Sequence, residues 1–100
     1  MAEIDAEILT TRCNNLTSLY FAQISNQALT IIIKNLSQSL EVLGFDYHHS
    51  RDIHLEKFLE LQQMTKFTHL VLYGRKGEMK ESKIFFEKHL PKLKVTFVLY

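Results

Sequence analysis

One hundred residues, 46% of them apolar and 23% charged, describe a single compact domain and lie far from the low-hydrophobicity signature of disorder. Apolar runs such as Leu70 to Tyr73 fall well short of the 18 or more residues of a membrane-spanning helix. The acidic start Met-Ala-Glu-Ile-Asp-Ala-Glu lacks the basic and apolar regions of a secretory signal, so the expectation is a soluble, cytoplasmic protein with no membrane partner. Cys13 is the single cysteine. It excludes an intramolecular disulfide and the paired-cysteine zinc sites, and with Arg12 as its one nearby cation it reads as buried or incidental rather than nucleophilic.

A net charge of +1 conceals an imbalance: residues 1–65 carry four Lys/Arg against eight Asp/Glu, and residues 66–100 carry eight against three. Such a split suits a surface for an anionic partner, and it equally suits two ends that attract each other between copies.

In chain order, Ala2 to Leu9 favours helix by composition, and Asn14-Asn15 interrupts it. Leu16 to Ala22 is readable as further helix or as a strand. Residues 25–43 place Leu29, Ile32, Ile33, Leu36, Leu40 and Leu43 at three-and-four spacing, which predicts one long amphipathic helix capped by Ser25 and stopped by Gly44. Phe45 to Ser50 reads as a loop, and a third helix is expected from about Asp52 to Met64. No internal repeat, low-complexity tract or linker is visible, so one domain is expected over residues 1–100.

The stretch from Phe67 to Tyr100 is the most informative. Phe67–Tyr73 and Lys94–Tyr100 are β-rich, and between them Met79, Lys83, Phe86 and Leu90, thickened by Ile84 and Phe85, mark a helix that Pro91 must end. About 20 residues separate the strands, long for a hairpin and sufficient for a right-handed parallel βαβ unit. The fold class is therefore α/β, with α+β as the alternative: helices first, then a closing βαβ. Two strands do not make a stable sheet, so a strand within 16–22 or a strand from another chain must extend it, and Val95, Phe97, Leu99 and Tyr100 are candidate interface residues on an exposed edge.

Gly74-Arg75-Lys76-Gly77 lies beyond the carboxyl end of a strand and at the start of a helix, where the dipole and unpaired N–H groups favour anions. With Lys80 and Lys83 it forms a candidate anion- or nucleic-acid-binding surface. A Gly-x-x-Gly turn with basic middle residues resembles the loop of KH-type RNA-binding domains, but that loop joins two helices, whereas here a strand precedes it. The bland alternative is a solvated turn that needs glycine for its backbone angles. His48, His49 and His54, with Asp46 and Asp52, lack the spacing of a zinc site; His69 reads as a packed or interface residue and His89 as a complement to a helix dipole. No nucleophile-elbow context or carboxylate pairing appears, and no metal or cofactor is expected. Whether the chain is an enzyme stays open, with the balance against it; a phosphate-ester hydrolase using His48, His49 or His69 is the third reading. The leading one is a protein-interaction or regulatory module that self-associates or docks onto a partner, and the alternative is a nucleic-acid-binding domain.

Overall fold

The computed structural model describes residues 3–47 and 53–99. Helix α1 (Glu3–Arg12) leads to strand β1 (Ser18–Phe21), helix α2 (Asn26–Asn35) to β2 (Val42–Asp46), a 3-10 helix (Leu55–Gln63) to β3 (His69–Gly74), and α3 (Lys76–His89) to β4 (Lys94–Leu99). The four strands form one sheet in the order β1-β2-β3-β4, and every neighbouring pair is parallel. The expected α/β class and closing parallel βαβ unit are present, and the first of the two ways of extending the sheet is realised, by β1. The helix expected at Ala2 to Leu9 is present as α1, and Leu16 to Ala22, readable as helix or strand, holds strand β1 rather than further helix.

The register exposes a repeat that the sequence, read linearly, does not. Leu19, Leu43, Leu70 and Val95 stand abreast, as do Phe21, Phe45, Leu72 and Phe97. The steps between the first four are 24, 27 and 25 residues. The same backbone bond recurs at each strand start: Val42 N–H donates to the Thr17 carbonyl at 3.0 Å, His69 N–H to Glu41 at 3.1 Å and Lys94 N–H to Thr68 at 3.1 Å. The chain is thus built of successive helix-strand units, contrary to the repeat-free reading.

Two predicted helices change character. The helix expected over 25–43 ends at Asn35, with Leu36 as its cap, and residues 42–46 are a strand. Leu36, Leu40 and Leu43 continue the helical spacing, yet Leu40 plugs the core from the connecting loop and Leu43 from β2, all fully buried. Gly44 is accordingly no helix stop but the middle of a strand, and the predicted loop at Phe45 begins with buried strand residues. Ser25 does cap α2, its hydroxyl accepting from Ala28 N–H at 3.1 Å. The third helix is of the 3-10 type, with Lys57 N–H bonding His54 and Met64 N–H bonding Leu61, each three residues back. Leu55, Phe58, Leu61 and Met64 recur at a strict interval of three, the eclipsed spacing of that helix; its proposed caps, Ser50 and Asp52, lie outside the described residues. In α3 the inward positions are Met79, Ser82, Phe86 and Leu90, while Lys83 and Ile84 are exposed.

All three crossovers lie on one face of the sheet. Phe58 of the 3-10 helix stacks on Phe45 of β2 (ring centroids 6.1 Å apart) and meets Phe86 of α3 edge-on at 5.2 Å, and Phe86 in turn faces Phe97 of β4 at 6.4 Å. On one flank of α2, Asn35 donates to Thr10 of α1 at 2.9 Å; on the other, Thr30, Ile33 and Lys34 face Glu60 and Gln63 across a groove. The helical layer therefore runs α1, α2, 3-10 helix, α3, matching the strand order beneath it. Phe58 links three of these elements, so Phe58→Ala should cost about 3–5 kcal/mol, as large-to-small core changes do, whereas Ile84→Ala on exposed α3 should stay within about 0.5 kcal/mol. Urea denaturation of the two variants side by side checks this.

Candidate interaction surface

Because side chains alternate across a strand, burying Leu43, Phe45, Leu70 and Leu72 under the helices sends their neighbours to the opposite face. There the rows read Ser18, Val42, His69, Lys94; then Tyr20, Gly44, Val71, Thr96; then Asp46, Tyr73, Val98. No element of the described residues covers this face. Tyr20 is 55% and Val98 37% exposed, and Val42, His69, Tyr73 and Thr96 are half-buried. Purely parallel sheets are ordinarily covered on both faces, so an uncovered one carrying Tyr20, Tyr73, Val42 and Val98, with Val71 buried among them at 7% exposure, is the chain's most distinctive surface.

Local contacts hold that surface in shape. His69 Nε2 and Thr96 Oγ1 lie 2.7 Å apart across β3 and β4, which places the histidine as a packed residue of this face. The Cδ1–Cε1 edge of the Tyr20 ring sits over Gly44: a Cβ at position 44 would come within 2.5 Å of Cδ1, 2.7 Å of Cε1 and 3.3 Å of the Val71 Cβ. Glycine is required here for close approach rather than for a left-handed backbone angle, since no described glycine has a positive φ. The same fact corrects the bland reading of Gly74 to Gly77. Gly74 is the buried last residue of β3, Arg75 is the exposed extended residue before the helix, and Gly77 lies in the first turn of α3 with nothing near its missing side chain.

A second surface forms at the β4 end. Lys83, Glu87 and Phe86 on α3 and Leu93, Val95 and Phe97 around β4 line a groove of about 280 Å³. Lys80 is exposed one turn before Lys83. Residues that looked separate in the sequence, the basic Lys83 and the strand residues Val95 and Phe97, thus line one groove, which Glu87 shares. Leu99 is 49% exposed at the end of the same strand; the side chain of Lys76 and all of Tyr100 lie outside the described residues. Arg75 stands apart, beyond the carboxyl end of β3.

The other candidates are dispersed. His48, His49 and Asp52 lie outside the described residues, His54 is exposed, and no group of three or more metal-ligating side chains occurs among the described residues. His89 packs on the Phe85 ring at 4.6 Å in the last turn of α3. It lines an open cleft of about 410 Å³ with Leu61, Met64, Phe67 and Pro91. Cys13 is exposed, which removes the buried alternative for that thiol. No described helix is long and apolar enough to cross a membrane. No protein-family model, curated protein or solved structure matches the chain.

The Tyr20–Gly44 contact gives a clean test of how the bare face is built. Gly44→Ala should destabilise the native protein by about 1 kcal/mol by lifting the tyrosine ring. With Tyr20→Ala already present the same change should cost less, since only the 3.3 Å approach to the Val71 Cβ remains and alanine costs less backbone entropy in a strand than glycine. A double-mutant cycle by chemical denaturation reads the coupling.

Proposed function

We propose that this chain is a protein-interaction module of the open β/α solenoid kind, whose bare sheet face docks onto a partner protein. The observation that carries the reading is a four-stranded parallel sheet with all its helices on one side. Leu16-x-x-Leu19-x-Phe21, Leu40-x-x-Leu43-x-Phe45 and Phe67-x-x-Leu70-x-Leu72 follow the pattern and the 20–29-residue period of leucine-rich repeats, in which one strand and one helix or 3-10 helix make each unit and the strands line an accessible face. The supporting chemistry is that of a binding surface: Tyr20, 55% exposed, and half-buried Tyr73 with few charges around them, tyrosine being enriched and charge depleted at interface centres. In this reading the chain works in the cytoplasm, where the exposed Cys13 thiol stays reduced.

A second reading, contact with nucleic-acid phosphates, is favoured by the exposure of Arg75, Lys80 and Lys83. It is the weaker one because Glu87 shares the flank of α3 that carries both lysines. The experiment is affinity capture followed by direct titration of the captured protein against wild type and a Tyr20→Ala/Tyr73→Ala variant. The module reading expects at least about tenfold weaker binding in the variant, as for loss of interface aromatic anchors, with an unchanged circular dichroism spectrum. Unchanged affinity would remove the sheet face as the site. Retention on a polyanion that falls steeply with salt and is lost when Arg75, Lys80 and Lys83 become Ala would favour the second reading instead.

A further inference from the structure

The apolar ladder of the repeat breaks at one position. Three residues before Leu19, Leu43 and Leu70 stand Leu16, Leu40 and Phe67, each packed into or against the core. Three residues before Val95, their counterpart on β4, stands Lys92, and it is exposed. Lys92 lines a cleft of about 410 Å³ at the place where the 3-10 helix and α3 each hand over to their strands. The walls come from two successive units, Leu61, Met64 and Phe67 from one and Leu90 from the next, so the cleft lies between units of the array rather than beyond its last strand. Leu61, Met64 and Leu90 are buried core residues. The charge on the lining has one sign: Lys92 and His89 contribute to it, the imbazole-bearing residue held against the Phe85 ring at 4.6 Å, and no acidic side chain lines the cleft among the described residues. Between the first two units, where Leu40 is in place and fully buried, the same end of the strands is polar instead. Asn14, Asn35 and Ser39 line it, and the Ser39 hydroxyl donates to the Asn14 carbonyl at 3.3 Å.

We propose that this cleft binds a small amphipathic carboxylate, its apolar body against Met64, Phe67 and Leu90 and its carboxylate on Lys92 and His89. The volume falls in the range of roughly 300–1,000 Å³ of small-molecule sites, which bury an apolar body and fix its orientation with a few polar groups. The ligand's apolar body takes the place that a side chain of the repeat, such as Leu40, takes in the other units. Its head meets the Lys92 ammonium through a charge-assisted hydrogen bond, and an imidazole N–H of His89 donates a second. A cationic head would face Lys92 with like charge, and a neutral one would forgo the charge-assisted contact. The site uses neither Tyr20 nor Tyr73, and it stands whether or not the sheet face docks a partner.

Octanoate, octylammonium and octanol share one tail and differ in the head group, so titrating each into the whole chain while following backbone amide resonances by NMR tests the tail and the head separately. Octanoate is expected to shift the amides of Met64, Phe67, Leu90 and Lys92 saturably and to bind at least about tenfold more tightly than octylammonium, as one charge-assisted contact supports. Lys92→Glu, a change at an exposed position whose fold circular dichroism checks, should reverse that order. Lys92→Leu restores the apolar residue of the repeat; it should abolish binding of all three compounds and raise the urea midpoint. Absence of saturable shifts around the cleft up to about 10 mM octanoate, equal binding of octanoate and octylammonium, or an order that Lys92→Glu leaves unchanged would each overturn the site. Binding that survives Lys92→Leu, or shifts centred on Tyr20 and Tyr73 instead of the cleft, would also overturn it.

Discussion

Four parallel strands laid side by side in chain order, with every crossover on the same side, can bury only one face of their sheet. Once β1, β2, β3 and β4 follow one another in register, each connecting helix must lie over the strands it joins, and crossovers of one hand advancing in one direction never reach the other side. Everything distinctive about the chain follows from this. The core is confined to a single layer between sheet and helices, where Phe45, Phe58, Phe86 and Phe97 pass contact from strand to helix to strand. The opposite face is left with whatever the alternation places there, and among the described residues β1 and β4 have no strand beyond them.

That constraint also decides which residues are free to serve recognition. Inward positions are occupied by Leu, Phe and Val at every step of the repeat, because each must fill the same slot under a helix. Outward positions carry no such demand and are correspondingly diverse: Ser18, Val42, His69 and Lys94 in one row, Tyr20, Gly44, Val71 and Thr96 in the next. A fixed inner set and a variable outer set separate stability from binding within each strand. Tyr20 over Gly44 shows that the outer set is still organised, since the ring lies on the sheet only because the neighbouring strand gives up its side chain there.

Legibility in the sequence followed how uniquely each residue pattern maps to a structure. The βαβ unit at the end was readable because Gly74 and Pro91 punctuate it and its strands lack helical period. Strand β2 was not, since Leu36, Leu40 and Leu43 are spaced by four and three, which satisfies a helical stripe as well as the Leu-x-x-Leu-x-Phe of a strand entry; the distinction lies in Leu40 serving the core from a loop. The 3-10 helix could have been recognised from the strict interval of three over Leu55, Phe58, Leu61 and Met64. The repeat stayed hidden because its period wanders between 24 and 27 residues and its positions exchange Leu, Phe and Val freely. Of the candidate surfaces, Lys83, Val95 and Phe97 were each visible, but their meeting in one groove depends on the flank that α3 turns outward. The bare sheet face was invisible until the strand order was known.

The charge imbalance noticed first in the sequence acquires a meaning only through this topology. In a fold that returns on itself, acidic and basic halves of a chain are brought together and neutralise one another internally. In an array that advances one unit at a time, sequence distance becomes spatial distance, so an acidic beginning and a basic end remain at opposite ends of the molecule. Asp5 and Glu7 on α1 and Lys80 and Lys83 on α3 are separated by the whole width of the sheet and cannot reach each other within one chain. The outward sheet face, with Asp46 and Lys94 as charged members of its rows, takes no part in that separation.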